Sequence, residues 1–575
     1  MEAPTSLPTC TLEDFETTYA QRHLLHGVVA HWAYTKPQDI AIINFETKES
    51  ITWQRFDLVT TAMAMRLLEM GIAKGDFVAT SLPMLTEHIF LEYACFKIGA
   101  IAVPLDLRLK APEVIRSLSL VKPKLFAFLG KTAQADFRLL GKAVMEACPY
   151  IEHFIQYSPP QLVIDGASSA FTFGQEALEL AQQAMAAPEA TPQLSELFHA
   201  MSQVDEHDGA LVVFTTGSTG YPKPALLSHR NITCQNMCLG RAFGLDESSR
   251  MLVNLPASHV GGQTEQLMTP LFMGGSVVTL HVFDPAASLQ AIQDYNITCY
   301  GQIPALFNLQ WRLSTFDSYD LSSINVALYA GQSVPRPFIE RVAGITPYIG
   351  TGLGLTECAG FCTYTKPHAT VDELTAGIGY AMPAYQLTIR EPMAADGSAG
   401  EELAAGTVGH ICFKGPQTFL GYVGDPEATA KTISNDGWLY TGDMGSYDEQ
   451  GLHLSGRARH VIKPKGFQVF PAQIEEHFCG LKEKVASCGV VGCNHSVYSE
   501  GVVAFIEKRP GVSLSTDELQ EHAKELASYM RPQMYYIFEP GQLPLNRVAK
   551  TDYLELQNLA SEEVEKLRAR GGWDS

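Results

Sequence analysis

The segment Phe214-Thr215-Thr216-Gly217-Ser218-Thr219-Gly220-Tyr221-Pro222-Lys223 directly follows the apolar run Gly209-Ala210-Leu211-Val212-Val213. Glycine lets backbone approach an anion, the hydroxyls of Thr215, Thr216, Ser218 and Thr219 can donate to phosphate oxygens, and Lys223 adds positive charge. The segment reads as a phosphate-holding loop, with a polar turn between two strands as the plain alternative. It is not a G-x-x-x-x-G-K-[ST] loop, because Gly217 and Gly220 are only three apart and no Ser or Thr follows Lys223. The 12 cysteines are scattered and contain no C-x-x-C, the nearest neighbours being Cys234/Cys238 and Cys358/Cys362. Reduced, mostly buried thiols are expected rather than a metal site or a disulfide framework.

Such a loop needs a rigid sheet beneath it, and the apolar pattern supplies the elements. Phe56, Val59, Met63, Leu67 and Met70 recur at steps of three and four, which predicts an amphipathic helix over 54–70. Phe77-Val78-Ala79 then reads as a strand, a second helix ends at Phe96-Lys97-Ile98-Gly99, and Ala100 to Leu105 reads as the next strand. Strands are also expected at 209–214, 276–280 and 324–329, so helices and strands alternate as in an α/β protein with layered, largely parallel sheets. Residues 157–207, rich in Ala, Gln, Ser and Pro, are read as a surface excursion. No fixed-period repeat is present, which excludes a solenoid. Composition changes at Gly456-Arg457-Ala458-Arg459-His460, which sets expected domains of 1–456 and 457–575. The second is read as a small α+β domain with strands at 486–492 and 501–506 and a helix over 516–530.

The chain has 575 residues, of which 46% are hydrophobic and 18% charged, the composition of a multidomain globular protein rather than a disordered chain or a single small module. Its 62 acidic residues against 41 Lys and Arg leave a formal charge of -21, which repels phosphate backbones and anionic lipid surfaces, so nucleic acid is not expected as the main partner. Glu2, Glu13, Asp14 and Glu16 occupy the start without a basic segment leading into an apolar one, so no secretory signal is read and a cytoplasmic location is expected. No run of roughly 18 uncharged apolar residues predicts a membrane span.

Several further motifs follow the phosphate loop in order. They are Gly352-Leu353-Gly354-Leu355-Thr356-Glu357, Trp438-Leu439-Tyr440-Thr441-Gly442-Asp443, Gly456-Arg457 with Lys463, Lys465, Gly466, Pro471 and Ile474-Glu475, and Leu543-Pro544-Leu545-Asn546-Arg547-Val548-Ala549-Lys550; Phe96, Gly99-Ala100 and Val103-Pro104-Leu105 precede it. Together these resemble the signature set of the adenylate-forming superfamily, which includes acyl-CoA synthetases, firefly luciferase and the adenylation domains of peptide synthetases. The resemblance covers roughly residues 50–555 and is greatest to acyl-CoA synthetases.

The resemblance implies a large N-terminal domain and a small mobile α+β C-terminal domain. It also implies a two-step reaction, in which a carboxylate attacks the α-phosphorus of ATP to give acyl-AMP and pyrophosphate, and a thiol then displaces AMP. Two anions meet in the first step, so positive charge is needed where negative charge builds up, and Lys550 matches the catalytic lysine. Glu357, preceded by Thr356, matches the residue that helps hold Mg²⁺, a hard cation that takes oxygen ligands. Thr215 to Gly220, Lys223 and Gly352-Leu353-Gly354 match the ATP and AMP site, with Asp443 and Arg457 on the ribose. Arg459 matches the hinge, and Lys463, Lys465 and Gly466 match the loop that meets CoA. Pro256-Ala257-Ser258-His259-Val260-Gly261-Gly262 resembles the acyl-pocket wall, and Gly331-Gln332-Ser333 the turn opposite. His259 reads equally as a packed core histidine, and Gly261 and Gly262 are expected to leave volume for an apolar acyl or aryl group.

The departures are Leu353 in place of the adenine-stacking aromatic, Pro224 in place of a glycine, and Arg459-His460 in place of an acidic or Lys pair. The implied activity is an acid-CoA ligase for a fatty or aryl acid, with ATP, Mg²⁺ and CoA as cofactors and a small carboxylic acid as partner. The alternatives are an acyl-AMP ligase that loads a carrier protein, a luciferase-like enzyme, and a non-catalytic nucleotide-binding relative. The acid's identity and a monomeric or homodimeric state are left open.

Overall fold

The apolar stripe that begins at Phe56 forms the helix Trp53–Glu69, capped by the Thr52 side chain, which accepts the Arg55 N–H. Strand Phe77–Ser81, helix Thr86–Ile98 and strand Ile101–Pro104 follow as expected. Every residue of helix Thr86–Ile98 except Glu87 is buried, so the apolar residues need not keep to one face, and the helix stops at Gly99, whose φ of 72° suits glycine. The computed structural model describes every residue except 1–6, 8, 188–191, 216–221, 332–333, 463, 465–468, 496–498, 547–549 and 574–575.

The protein is mixed α/β and divides into two compact units, Met1–Leu387 with Phe413–Leu439, and Thr388–Cys412 with Tyr440–Ser575. The compact division therefore differs from the expected one at 456, because the hairpin Leu439–Asp448 and Gly451–Arg457 clusters with the chain that follows it.

Among the described residues the first unit holds two large sheets. One has the order Ile349–Gly350, Val326–Tyr329, Cys299–Gln302, Arg250–Val253, Ser276–Thr279, Ile40–Asn44, Ser50–Thr52, and only the last strand is antiparallel. The other has the order Gly421–Tyr422, Lys223–Ser228, Gly209–Thr215, Ile101–Pro104, Phe77–Ser81, Leu125–Leu129, His153–Tyr157, Ser168–Ser169. Here Lys223–Ser228 is antiparallel to both of its neighbours, and the remaining pairs are parallel. Helices supply the apolar faces that such sheets require.

Residues 157–207 are not a surface excursion. They contain the helices Ala170–Ala186 and Pro192–Ser202, and Phe173, Ala177, Ala181 and Ala184 bury one face of the first, which packs on Trp53–Glu69. An Ala- and Gln-rich composition looks loop-like, yet both residues favour helix and small Ala permits close packing.

In the second unit, Val485–His495, Ser499–Lys508 and Met534–Phe538 form a three-stranded sheet covered on both faces. Val502, Ala504 and Ile506 join one apolar cluster with Ile474, Phe478 and Leu519. The alternate residues Val503 and Phe505 join another with Leu556, Ala560 and Val564 of the final helix Tyr553–Ala569; this is the period-two signature of a strand. The expected helix over 516–530 is shorter, ending at His522 with a 3₁₀ turn Ala523–Glu525. Leu526 is already extended, and Pro532 disfavours helix at the residue before it.

Glu475, on the helix Pro471–Cys479, accepts from the Tyr553 hydroxyl at 2.8 and 2.9 Å and from the Val490 N–H at 2.8 Å. Burial pushes its carboxyl up to about 7, against those hydrogen bonds. A folded pKa above the ordinary 4.5 means that the folded state binds more protons, so the stabilisation is full below pH 4.5 and lost as pH rises through 7. Glu475→Gln removes the titration and is expected to recover about 2–3 kcal/mol near pH 8 relative to pH 5. Thermal melts of both proteins at the two pH values check this, and parallel pH dependence would contradict it.

Candidate active site

In the first unit the two ends of the predicted phosphate loop are fixed by strand pairing. Thr215 and Lys223 stand opposite each other at the ends of antiparallel strands. Thr216, Gly217, Ser218, Thr219 and Gly220 lie outside the described residues. On its other edge Lys223–Ser228 pairs with Gly421–Tyr422, Tyr422 lying opposite Ala225. The Lys223 ammonium is 5.0 Å from the centre of the Tyr422 ring, within the range of a cation–π contact.

Tyr422 donates its hydroxyl to Glu357 Oε1 at 2.6 Å, and the Glu357 carbonyl accepts the Phe419 N–H at 3.0 Å. Burial and the adjacent Glu357 carboxylate raise the Tyr422 phenol well above its ordinary value. Lys223, Tyr422 and Glu357 thus form a cation–aromatic–carboxylate line. Tyr422 was not picked out in the sequence, where Gly421-Tyr422 has no chemical pattern to mark it.

Glu357 sits on the 3₁₀ turn Thr356–Cys358, which joins the paired segments Gly354–Leu355 and Gly360–Phe361. Ala359 closes the turn with φ of 57°, unusual for a residue with a Cβ. At Gly352 a Cβ would stand 1.9 Å from the Thr363 carbonyl oxygen, so only glycine allows this backbone approach. Leu353 is buried, its N–H donating to Thr363 Oγ1 at 2.8 Å and its carbonyl accepting from Cys362 at 2.7 Å.

His259 is exposed, which rules out the packed-core reading. Its Nδ1 accepts the Gly261 N–H at 2.9 Å, so the ring proton resides on Nε2. Gly261 opens the π-helical stretch Gly261–Met268. The glycines here do not simply leave volume. A Cβ on Gly262 would meet the Pro256 carbonyl oxygen at 2.3 Å, and one on Gly261 would meet Leu255 Cδ1 at 2.9 Å and His259 Nδ1 at 3.1 Å. Close backbone packing requires Gly262. Gly331 is exposed with φ of 96°; Gln332 and Ser333 lie outside the described residues.

Sequence reasoning also passed over Glu265, on the same π-helical stretch. The signal was available, because Glu265 is the one charged residue between Met251 and Met273.

The second unit gathers Asp443, Arg457 and Lys550. Asp443 and Arg457 are directly opposed on the antiparallel strands Leu439–Asp448 and Gly451–Arg457. Arg457 Nε lies 2.9 Å from Asp443 Oδ1, with Arg457 half exposed and Asp443 buried. Asn546 donates its N–H to the Lys550 carbonyl at 2.7 Å, and Asn546 Oδ1 accepts the Lys550 N–H at 3.1 Å. Burial lowers the Lys550 ammonium, the Arg457 charge lowers it further, and Asp443 opposes them. The expected catalytic lysine and the two expected ribose contacts are therefore electrostatic neighbours. Lys463, Lys465 and Gly466 lie outside the described residues, as does the Arg459 side chain; Ile462 and Val469 form an antiparallel bridge.

Comparison with known proteins settles the class. The family described as AMP-binding enzyme matches residues 29–423 and its C-terminal domain matches residues 473–550. The chain belongs to the AMP-binding enzyme family. One relative, a long-chain-fatty-acid–CoA ligase of Bacillus subtilis, is 27% identical over 534 residues, covering 88% of this chain and 90% of its own. A feruloyl-CoA synthase of an Amycolatopsis species is 28% identical over 489 residues, covering 84% and 89%. The solved structure of ATP-bound MatB from Rhodopseudomonas palustris superposes with a TM-score of 0.75 at 21% identity, covering 94% of this chain and 99% of that one. At that identity the likeness establishes the shared AMP-binding fold. Among the described residues no helix is long and apolar enough to cross a membrane.

The Lys550 environment has a measurable consequence. Arg457→Leu removes a neighbouring positive charge and should raise the Lys550 pKa, whereas Asp443→Asn removes the favourable one and should lower it. Amine labelling of Lys550 across pH, read by mass spectrometry, gives the order, and the reverse order would separate the three groups.

Proposed function

We propose that this AMP-binding enzyme is an ATP-dependent acid-CoA ligase that activates a largely apolar fatty or aryl acid as acyl-AMP and transfers the acyl group to CoA. The observation that carries the reading is the Lys550 ammonium, partly desolvated beside the Asp443–Arg457 pair. A desolvated cation stabilises developing negative charge more strongly than one in bulk water. Attack of a carboxylate oxygen on the α-phosphorus, with pyrophosphate leaving, places such charge on the phosphorus oxygens. The two bacterial relatives named above support a thiol as the second acceptor, since both are named for forming acyl-CoA products.

The roles follow from the groups each residue offers. Thr215 and Lys223 bracket the hydroxyl-rich phosphate loop, and Lys223 contributes charge toward the triphosphate. The half-buried carboxylate of Glu357, oriented by Tyr422, is the oxygen donor suited to Mg²⁺. That ion would offset charge on the phosphates. Asp443, held by Arg457, offers carboxylate oxygens to the ribose hydroxyls. His259 and the Gly261–Met268 stretch form one wall for the acid, Lys463, Lys465 and Gly466 serve CoA, and rotation at Arg459 separates the two half-reactions.

The direct test is acid-dependent pyrophosphate release over a panel of aliphatic and aromatic acids, followed by product mass with CoA. Product that stops at acyl-AMP despite CoA would favour a carrier-protein acceptor, and no acid-dependent release would sink the proposal. Lys550→Ala should slow adenylation about 10²–10³-fold while leaving CoA transfer from supplied acyl-AMP much less affected; equal slowing of both half-reactions would remove Lys550 from the first step. Tyr422→Phe deletes the hydrogen bond that orients Glu357 and should raise the KM for Mg-ATP about 5–10-fold, which steady-state kinetics at saturating acid would show.

A further inference from the structure

Glu265 puts a carboxyl where the surrounding sequence is uncharged from Met251 to Met273. Its side chain is half-buried, and burial pushes the carboxyl up to about 7 against a hydrogen bond from the Phe361 N–H. Glycine geometry locates both oxygens. Oε1 is 2.6 Å from the point that a Cβ on Gly360 would occupy, and Oε2 is 3.6 Å from the corresponding point on Gly261. His259 Nδ1 lies 3.1 Å from that same Gly261 point, so Glu265 borders the His259 wall.

A second polar group converges there. Gln235, fully buried on the helix His229–Ala242, brings Nε2 to 3.0 Å from the Gly360 Cβ point. Its other amide atom is engaged, since Oε1 accepts from Asn236 Nδ2 at 2.9 Å, so the amide presents its donor end to this space. Among the described residues Nε2 has no hydrogen-bond partner. A buried donor without a partner is a standing cost that a bound group can relieve. The absent Cβ at Gly360 is what lets this donor and the Glu265 carboxyl both come close to the backbone there; any side chain would collide with both.

We infer that Glu265 and Gln235 form a recognition subsite for a hydroxyl group carried by the acid, its O–H donating to Glu265 and its oxygen accepting from Gln235 Nε2. A hydroxyl is both donor and acceptor and satisfies the two groups at once. An alkyl group leaves both unpaired, an ammonium brings only donors to the Gln235 N–H, and a second carboxylate meets Glu265 with like charge. The inference rests on the acid-ligase reading for where the acid lies, and it refines that reading from an apolar acid to a hydroxylated one.

Matched acids that differ only by a hydroxyl, in aromatic and aliphatic pairs, are titrated into the full-length protein without ATP by calorimetry, then assayed with ATP for pyrophosphate release. At least one hydroxy acid is expected to bind ~10-fold or more tightly than its deoxy partner. The ratio should fall toward one in Glu265→Leu and in Gln235→Leu, chiefly through the KM of the hydroxy acid, while Glu265→Gln, which keeps an acceptor, retains part of it. A ratio near one for every pair in the unaltered protein overturns the inference, as does a ratio retained in Gln235→Leu, which removes the Nε2 donor and leaves an apolar group of similar size. Discrimination in binding without pyrophosphate release upholds the subsite and sinks the ligase reading; release with equal use of both members of every pair does the reverse. Neither binding nor release with any acid sinks both.

Discussion

One reversed strand organises the first unit. Lys223–Ser228 runs against both neighbours in a sheet whose other pairs are parallel. A parallel neighbour would need a long crossover after Thr215; the reversal brings the chain back after a short segment, so Thr215 and Lys223 end opposite each other. The other edge of the same strand takes up Gly421–Tyr422, and with it the phenol that orients Glu357. Lys223 and Glu357 are 134 positions apart in number, yet a single tyrosine links them. The Lys223–Tyr422–Glu357 line depends on that direction of travel.

Burial also sets the ionisation of carboxyl and ammonium groups in both units. Lys550, Glu265 and Glu475 all have their ionisation shifted chiefly by burial, toward the neutral form in each case. For Glu475 the compensation is structural, in hydrogen bonds from Tyr553 and Val490 that tie the helix Pro471–Cys479 to the sheet and the final helix. For Lys550 the Asp443 carboxylate opposes the shift, and for Glu265 a hydrogen bond from the Phe361 N–H does so. The overall charge of -21 therefore says little about the site. Cations stand against the net charge of the molecule within each unit, Lys223 beside Tyr422 in the first and Arg457 beside Asp443 in the second.

Much of the architecture was legible because burial imposes period. Helix Trp53–Glu69, strands Phe77–Ser81 and Ile101–Pro104, and the alternating core of Ser499–Lys508 all lie where apolar spacing put them. Where composition replaced spacing as the guide, in residues 157–207, the reading failed, because Ala-rich helices bury small side chains that carry little apolar signal. The short end of the helix after Thr516 was missed for another reason. A periodic pattern marks which face is apolar, but it does not mark where the backbone turns extended, which here is Leu526, ahead of Pro532.

The same division runs through the site. Sequence alone determined the chemistry on offer, since hydroxyls, glycines and a lysine in Phe214–Lys223, and the ordered motifs ending at Lys550, need no coordinates to be recognised. It could not determine which side chains meet. Tyr422 beside Lys223 and Glu357, Arg457 locked to Asp443, and Gln235 converging with Glu265 on Gly360 are products of strand pairing and helix packing between distant segments. The role of the glycines was decided there too: Gly262 looked like space for a ligand, and the Pro256 carbonyl shows it to be a requirement of close packing. A residue's type sets what it can donate, accept or charge, but its partners and solvation are long-range properties, and those arise only when the chain is folded.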